Sequence, residues 1–164
     1  MQKLIIALAV LAVPALAWSY PDESFYRAFA EGGSAAIDAA NLALQKSSDP
    51  KVKEFAALML KDHAAANDTL KALVVAKRRR LPSSASAAQQ AIQAKLTVLS
   101  GSVFDRFYIL AQIHAHEDLL ELVNNEIASG RDAQGQAFAR EILPTVQAHL
   151  KMIRVLAAGE GVSR

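Results

Sequence analysis

Four histidines carry most of the chemistry available to this sequence: His63, His114, His116 and His149. A neutral imidazole offers one lone pair to a metal or a proton, and several converging in a core suit zinc, iron or copper. At 100° per residue His63 and His149 fall in the middle of apolar stripes. His116 lies beside Leu120, Val123 and Ile127, whereas His114 shares a polar strip with Asp118 and Glu121. Three of the four therefore point inward. Asp62 and Glu117, each adjacent to an inward histidine, are the carboxylates placed to donate to an ion or to orient an imidazole. The commoner fate of a core histidine is a hydrogen bond to a backbone carbonyl or a neighbouring side chain.

Other chemistries find less support. A di-metal bundle needs Glu-x-x-His pairs, and no histidine here has a glutamate three residues before it. With no cysteine there is no thiol nucleophile, thiolate ligand or disulfide. No serine sits in a nucleophile elbow. Glu117 and Glu121 lie one helical turn apart, as on a solvated face. No catalytic residue is assigned, so an enzyme is the less expected outcome, and no cofactor is indicated beyond a transition-metal ion.

The elements that position these side chains are all helical. A first helix over about 22–45 has the stripe Phe25, Phe29, Ala36, Ala39, Ala40 and Ala43, interrupted by Gly32-Gly33, which implies close packing or a kink. Asp49-Pro50 caps and starts a second helix over about 50–79. Its stripe is Val52, Phe55, Ala56, Met59, His63, Ala66, Leu70, Leu73 and Val74. Lys77-Arg78-Arg79-Arg80 closes it, as cations favour a helix carboxyl end; a patch for anionic lipid or cell-wall polymer is the weaker reading. A Ser/Ala-rich connector holds a short helix near 88–99, and Gly101 breaks it. The helix over about 102–129 is apolar nearly all round and is expected to be the most buried. After the turn at Gly130, a last helix over about 133–157 carries Phe138, Ile142, Val146, His149, Ile153 and Leu156, with Pro144 inside it.

Composition agrees with an all-α class. The 164-residue chain is 52% hydrophobic with only seven glycines, and 18 basic against 16 acidic residues leave too little field to imply nucleic acid. Lys3, the apolar run from Leu4 to Leu16 and Ala15-Leu16-Ala17 read as a secretory signal peptide over 1–17, ahead of one bundle domain over 18–164 with its core at about 22–157. No later segment is apolar for the roughly 20 residues a span requires, so the mature chain is expected in the periplasm or peripheral to the envelope.

Several segments together resemble one family. Phe29-Ala30-Glu31-Gly32-Gly33, Asp49-Pro50 through Phe55-Ala56, Asp62-His63 with Asn67 and Leu70, His116-Glu117, and Leu143-Pro144 with His149-Leu150 are similar to the domain of unknown function 4142. The resemblance covers about residues 24–157. It implies an exported bacterial protein, often labelled an outer-membrane protein, with a ferritin-like helical bundle; joined to the helices read above, that is a ferritin-like four-helix bundle with a short extra helix in the connection between its second and third long helices. Where it implies an inward glutamate, this chain has Ala36, with Asp38 following. The leading expectation is a non-catalytic, stress-related envelope protein. The alternative is a ferritin-like metal-binding protein using His63, His116 and His149, assisted by Glu117 or Asp62.

Overall fold

The computed structural model describes residues 20–162, and the expected leader lies outside them. Five α-helices make up the described chain: α1 (Tyr20–Lys46), α2 (Pro50–Ala76), α3 (Ala87–Val98), α4 (Gly101–Ser129) and α5 (Ala133–Gly159). Local chemistry sets their ends. Asp49 Oδ1 accepts hydrogen bonds from the Lys51 and Val52 amides at 2.7 and 3.3 Å, and Pro50 occupies the first turn, where its missing N–H costs nothing. Ser86 and Gln89 form a reciprocal capping box at α3. α2 stops at Ala76 rather than at Arg79 because Lys77 leaves helical geometry and Arg78 turns to φ +56°.

The topology follows from which ends meet. α1 and α2 form one antiparallel hairpin and α4 and α5 a second; α1 packs on α4, while α2 meets α5 less closely. Arg79, after α2, pairs with Glu23 near the start of α1 at 3.2 Å. At the other end of α1, Lys46 Nζ donates to the Leu96 and Thr97 carbonyls of α3. The 77–100 connection therefore runs the length of the bundle, with α3 laid along α1, and α4 starts at the end where α2 started.

Side-chain burial follows the stripes read from sequence. Phe25, Phe29, Ala39, Ala40 and Ala43 of α1 are buried, as are Val52, Phe55, Ala56, Met59, His63, Leu70 and Val74 of α2. Gly33 is a close approach: a Cβ there would run into the Asn67 side chain of α2, with its Cγ at 2.8 Å. One expectation is corrected. α4 is no more buried than α5, since Val103 is 59% exposed and Leu119, Leu120 and Leu122 are only partly covered. In a bundle of this size every long helix keeps one face in water, whatever its composition.

The apolar core forms two clusters. One gathers Val52, Phe55, Met59, Leu96, Phe104, Tyr108, Ile109, Ile153 and the α1 alanines from Ala39 to Ala43. The other gathers Phe25, Tyr26, Phe29, Leu70, Val74, Val123 and Phe138. Between them, along α2, α4 and α5, lie the inward histidines. No described helix is long and apolar enough to cross a membrane.

Candidate metal centre

His63 comes from α2, His116 from α4 and His149 from α5, and all three are buried, at 7, 2 and 3% exposure. Each sits on its helix where the apolar stripe passes the bundle axis, so packing of the stripes brings the imidazoles together. Their ring centroids form a nearly equilateral triangle with sides of 5.8, 5.9 and 5.6 Å. One ligand nitrogen from each ring lies within 4.8 Å of the other two.

Hydrogen bonds to these rings constrain which nitrogens are available. His116 Nδ1 lies 2.8 Å from the Gln112 carbonyl, which only accepts, so Nδ1 carries the proton and the Nε2 lone pair is free. His149 Nε2 lies 2.9 Å from Asp62 Oδ2, so in the neutral ring Nε2–H donates and Nδ1 holds the lone pair. The Nε2 atoms of His63 and His116 are buried with no hydrogen-bond partner among the described residues. An orphaned buried nitrogen costs about 1–3 kcal/mol, so two of them side by side mark a centre incomplete as a hydrogen-bond network.

Electrostatics keep the rings neutral. Burial lowers the His63 pKa to about 3, with further depression from the neighbouring His116 and His149. Burial brings His116 down to about 4 against an opposing hydrogen bond from its ring to the Gln112 carbonyl. His149 is also lowered by burial, with the Asp62 carboxylate pulling the other way. Neutral imidazoles cannot repel a cation and present lone pairs at pH 7 without a proton to displace.

The size of the triangle fits one ion. A metal–nitrogen bond of about 2.0–2.1 Å plus an imidazole radius of about 1.1 Å puts each centroid about 3.2 Å from the metal, and three such rings around it stand about 5.5 Å apart. The observed sides need to shrink by only a few tenths of an ångström. On one side the trio meets Phe55, whose ring lies 6.3 Å from that of His116 and 6.5 Å from that of His149. On the other a cleft of about 250 Å³ opens between α2 and α5, reaching His63 and His149 past Asp62, Thr69, Glu141 and Thr145.

The sequence-predicted residues divide accordingly. His63, His116 and His149 come together, and Asp62 reaches the site, though its partner is His149 across the bundle rather than its neighbour His63. Glu117 turns away, pairing with Arg154 at 2.7 Å and lying 3.9 Å from the exposed His114. Asp38 is exposed and supplies no inward carboxylate. Lys77 and Arg79 of the basic run are engaged with Asp132 and Glu23. Sequence reasoning missed the Gln112 carbonyl and the cleft residues Glu141 and Thr145. Their signal was the i, i+4 spacing from Gln112 to His116 and along Glu141, Thr145 and His149.

A family model described as a domain of unknown function, DUF4142, matches residues 9–156. No curated protein matches the sequence. Among solved structures the fold is similar to a DUF305 fragment from Deinococcus radiodurans, with a TM-score of 0.76 and 14% identity over 85% of this chain and 97% of that one. It is also similar to CopM in its Cu(I)-bound form, with a TM-score of 0.71 and 22% identity over 84% of this chain and 96% of that one. CopM in its Cu(II)-bound form gives 0.71 and 20% over the same shares. At these identities the likeness is one of fold.

Proposed function

Because the chain belongs to the DUF4142 family, whose function is unknown, we propose that it is an exported helical-bundle protein that binds a single copper ion through His63, His116 and His149. The observation carrying this reading is the convergence of three buried neutral imidazoles, two with orphaned Nε2 atoms, at a spacing that suits one ion. It favours metal binding over the reading in which these histidines only hydrogen-bond within the core. The ligands are Nε2 of His63, Nε2 of His116 and Nδ1 of His149, with Asp62 holding the last ring in place.

Charge argues for the monovalent form of the ion. The cost of burying an ion grows with the square of its charge, and three neutral ligands cancel none of it. Cu(I) with the Asp62 carboxylate is neutral in sum, whereas a divalent ion leaves a net positive charge beside the core. Imidazoles also suit copper among first-row metals. That CopM, of similar fold, has Cu(I)-, Cu(II)- and silver-bound forms supports the choice. Export rests on the leader pattern at 1–17, and N-terminal sequencing of the processed protein is expected to begin at Trp18.

The test is Cu(I) titration of the untagged, metal-free protein against a chromogenic chelator, with elemental analysis of the purified product. One copper per chain is expected, with at least about a hundredfold loss of affinity in His63→Leu and His116→Leu. Binding unchanged in both variants would sink the assignment. Asp62→Asn, which keeps a hydrogen-bonding group but removes the charge, is expected to weaken Cu(I) about tenfold.

A further inference from the structure

Three imidazoles can hold Cu(I) trigonally and leave the two faces of the ligand plane free to accept a fourth donor, and the two sides of the trio differ. Phe55, reaching in from the amino-terminal half of α2, sets its ring against His116 and His149 and offers no donor. In the opposite direction along α2 lies the cleft between α2 and α5, of about 250 Å³, with both His63 and His149 in its wall. That volume exceeds what a water or a diatomic molecule occupies, so a small molecule can stand against the His63 and His149 rings without unfolding any helix, the Nε2 atoms of His63 and His116 lying just beneath, covered from solvent. The less close packing of α2 on α5 is what leaves this opening.

We propose that the ion held by His63, His116 and His149 keeps an open coordination position facing the α2–α5 cleft, where it takes an exchangeable, small, neutral donor molecule. The inference rests on the copper reading above. The cleft also specifies the class of ligand: Asp62 and Glu141 place two carboxylates in its wall, so anions meet like charge on the way in, while Thr145 offers a hydroxyl and Thr69, whose hydroxyl donates to the Ala65 carbonyl at 3.1 Å, offers only its oxygen lone pairs. A purely structural or storage site closes its ligand set with protein donors; one that leaves a position facing a cleft can exchange a ligand.

The probe is carbon monoxide, a neutral donor that reports by infrared absorption when it binds Cu(I). The wild-type protein loaded with Cu(I) is expected to show one saturable Cu(I)–CO band. Thr145→Phe, from the α5 wall, and Thr69→Phe, from the α2 wall, fill the cleft from exposed positions. Each is expected to weaken the band about tenfold at a fixed CO pressure while leaving Cu(I) affinity within about threefold and the helical circular dichroism unchanged. Glu141→Gln should leave the CO band in place and strengthen binding of cyanide relative to the parent. Stoichiometric Cu(I) with no CO band, or a band that neither filling variant diminishes, overturns the open position and leaves the copper site standing. Failure to bind Cu(I) at all overturns both.

Discussion

A buried imidazole nitrogen without a partner works against the folded state, and that opposition makes the histidines diagnostic. If His63 served only packing, removing it would open a cavity or break a bond and destabilise the protein. Here its Nε2 has no described partner, so His63→Leu exchanges an orphaned polar atom for an apolar group of similar size inside the core. The metal-free variant is expected to be about 1 kcal/mol more stable than the parent in urea unfolding, while losing copper. A variant less stable than the parent by more than about 2 kcal/mol would instead assign the ring a structural role. His149→Leu should behave differently, because it strands the Asp62 carboxylate that the ring now meets at 2.9 Å; a loss of stability is expected there.

Helix stripes were legible because a period of 3.6 needs only residue type, and the observed ends lie within about three residues of those read from sequence. The inward direction of three histidines was legible for the same reason. What the sequence could not supply was pairing across helices: Asp62 was placed beside His63 by adjacency, whereas the bundle turns it to His149, and Glu117 was drawn out to Arg154. α4 was over-read, because composition does not show how many neighbours a helix has. Gly33 shows a tertiary reason for a residue that helix propensity disfavours. Ala at this position gains about 1 kcal/mol of propensity, but its Cβ meets the Asn67 amide, which must swing aside and takes back part of that gain. Gly33→Ala is therefore expected to stabilise an Asn67→Ala background by about 1 kcal/mol and the parent by less; equal effects in both backgrounds would refute the contact. Asp132 joins elements in another way, capping α5 through the Gln134 amide, accepting from Tyr26 Oη of α1 and pairing with Lys77 at the end of α2. Desolvation raises its pKa, but the bonds from Lys77, Tyr26 and Gln134 outweigh it and hold the carboxyl below its usual range. Stability from a depressed carboxyl is present above the unfolded value near 4 and is lost as pH falls through the folded value. Asp132→Ala should thus cost about 1–2 kcal/mol at pH 7, and the gap to the parent should close below about pH 4 in a pH series of urea midpoints.

At the scale of the whole molecule the histidine layer divides the core. The cluster around Phe55, Phe104 and Tyr108 lies on one side and the cluster around Phe25, Phe29 and Phe138 on the other, so the bundle is fastened by apolar contact at two levels and joined by a polar layer between. That layer spans both hairpins, since α2 belongs to the first and α4 and α5 to the second. An ion bound there links the hairpins at the level where Asp62 of α2 already meets His149 of α5. Binding to the folded state alone raises global stability by about 2.7 kcal/mol at a hundredfold excess over Kd, and any ligand of that affinity does as much. The location of the effect is specific. Amide exchange slowed by Cu(I) should be concentrated in the turns of α2, α4 and α5 that flank His63, His116 and His149, where local opening separates the hairpins. α1 supplies no ligand and lends the cleft only Phe29, so its amides should slow less than those of α5. Protection spread evenly over all helices would show that copper acts only through the global equilibrium, and the histidine layer would then not be the joint between the two halves.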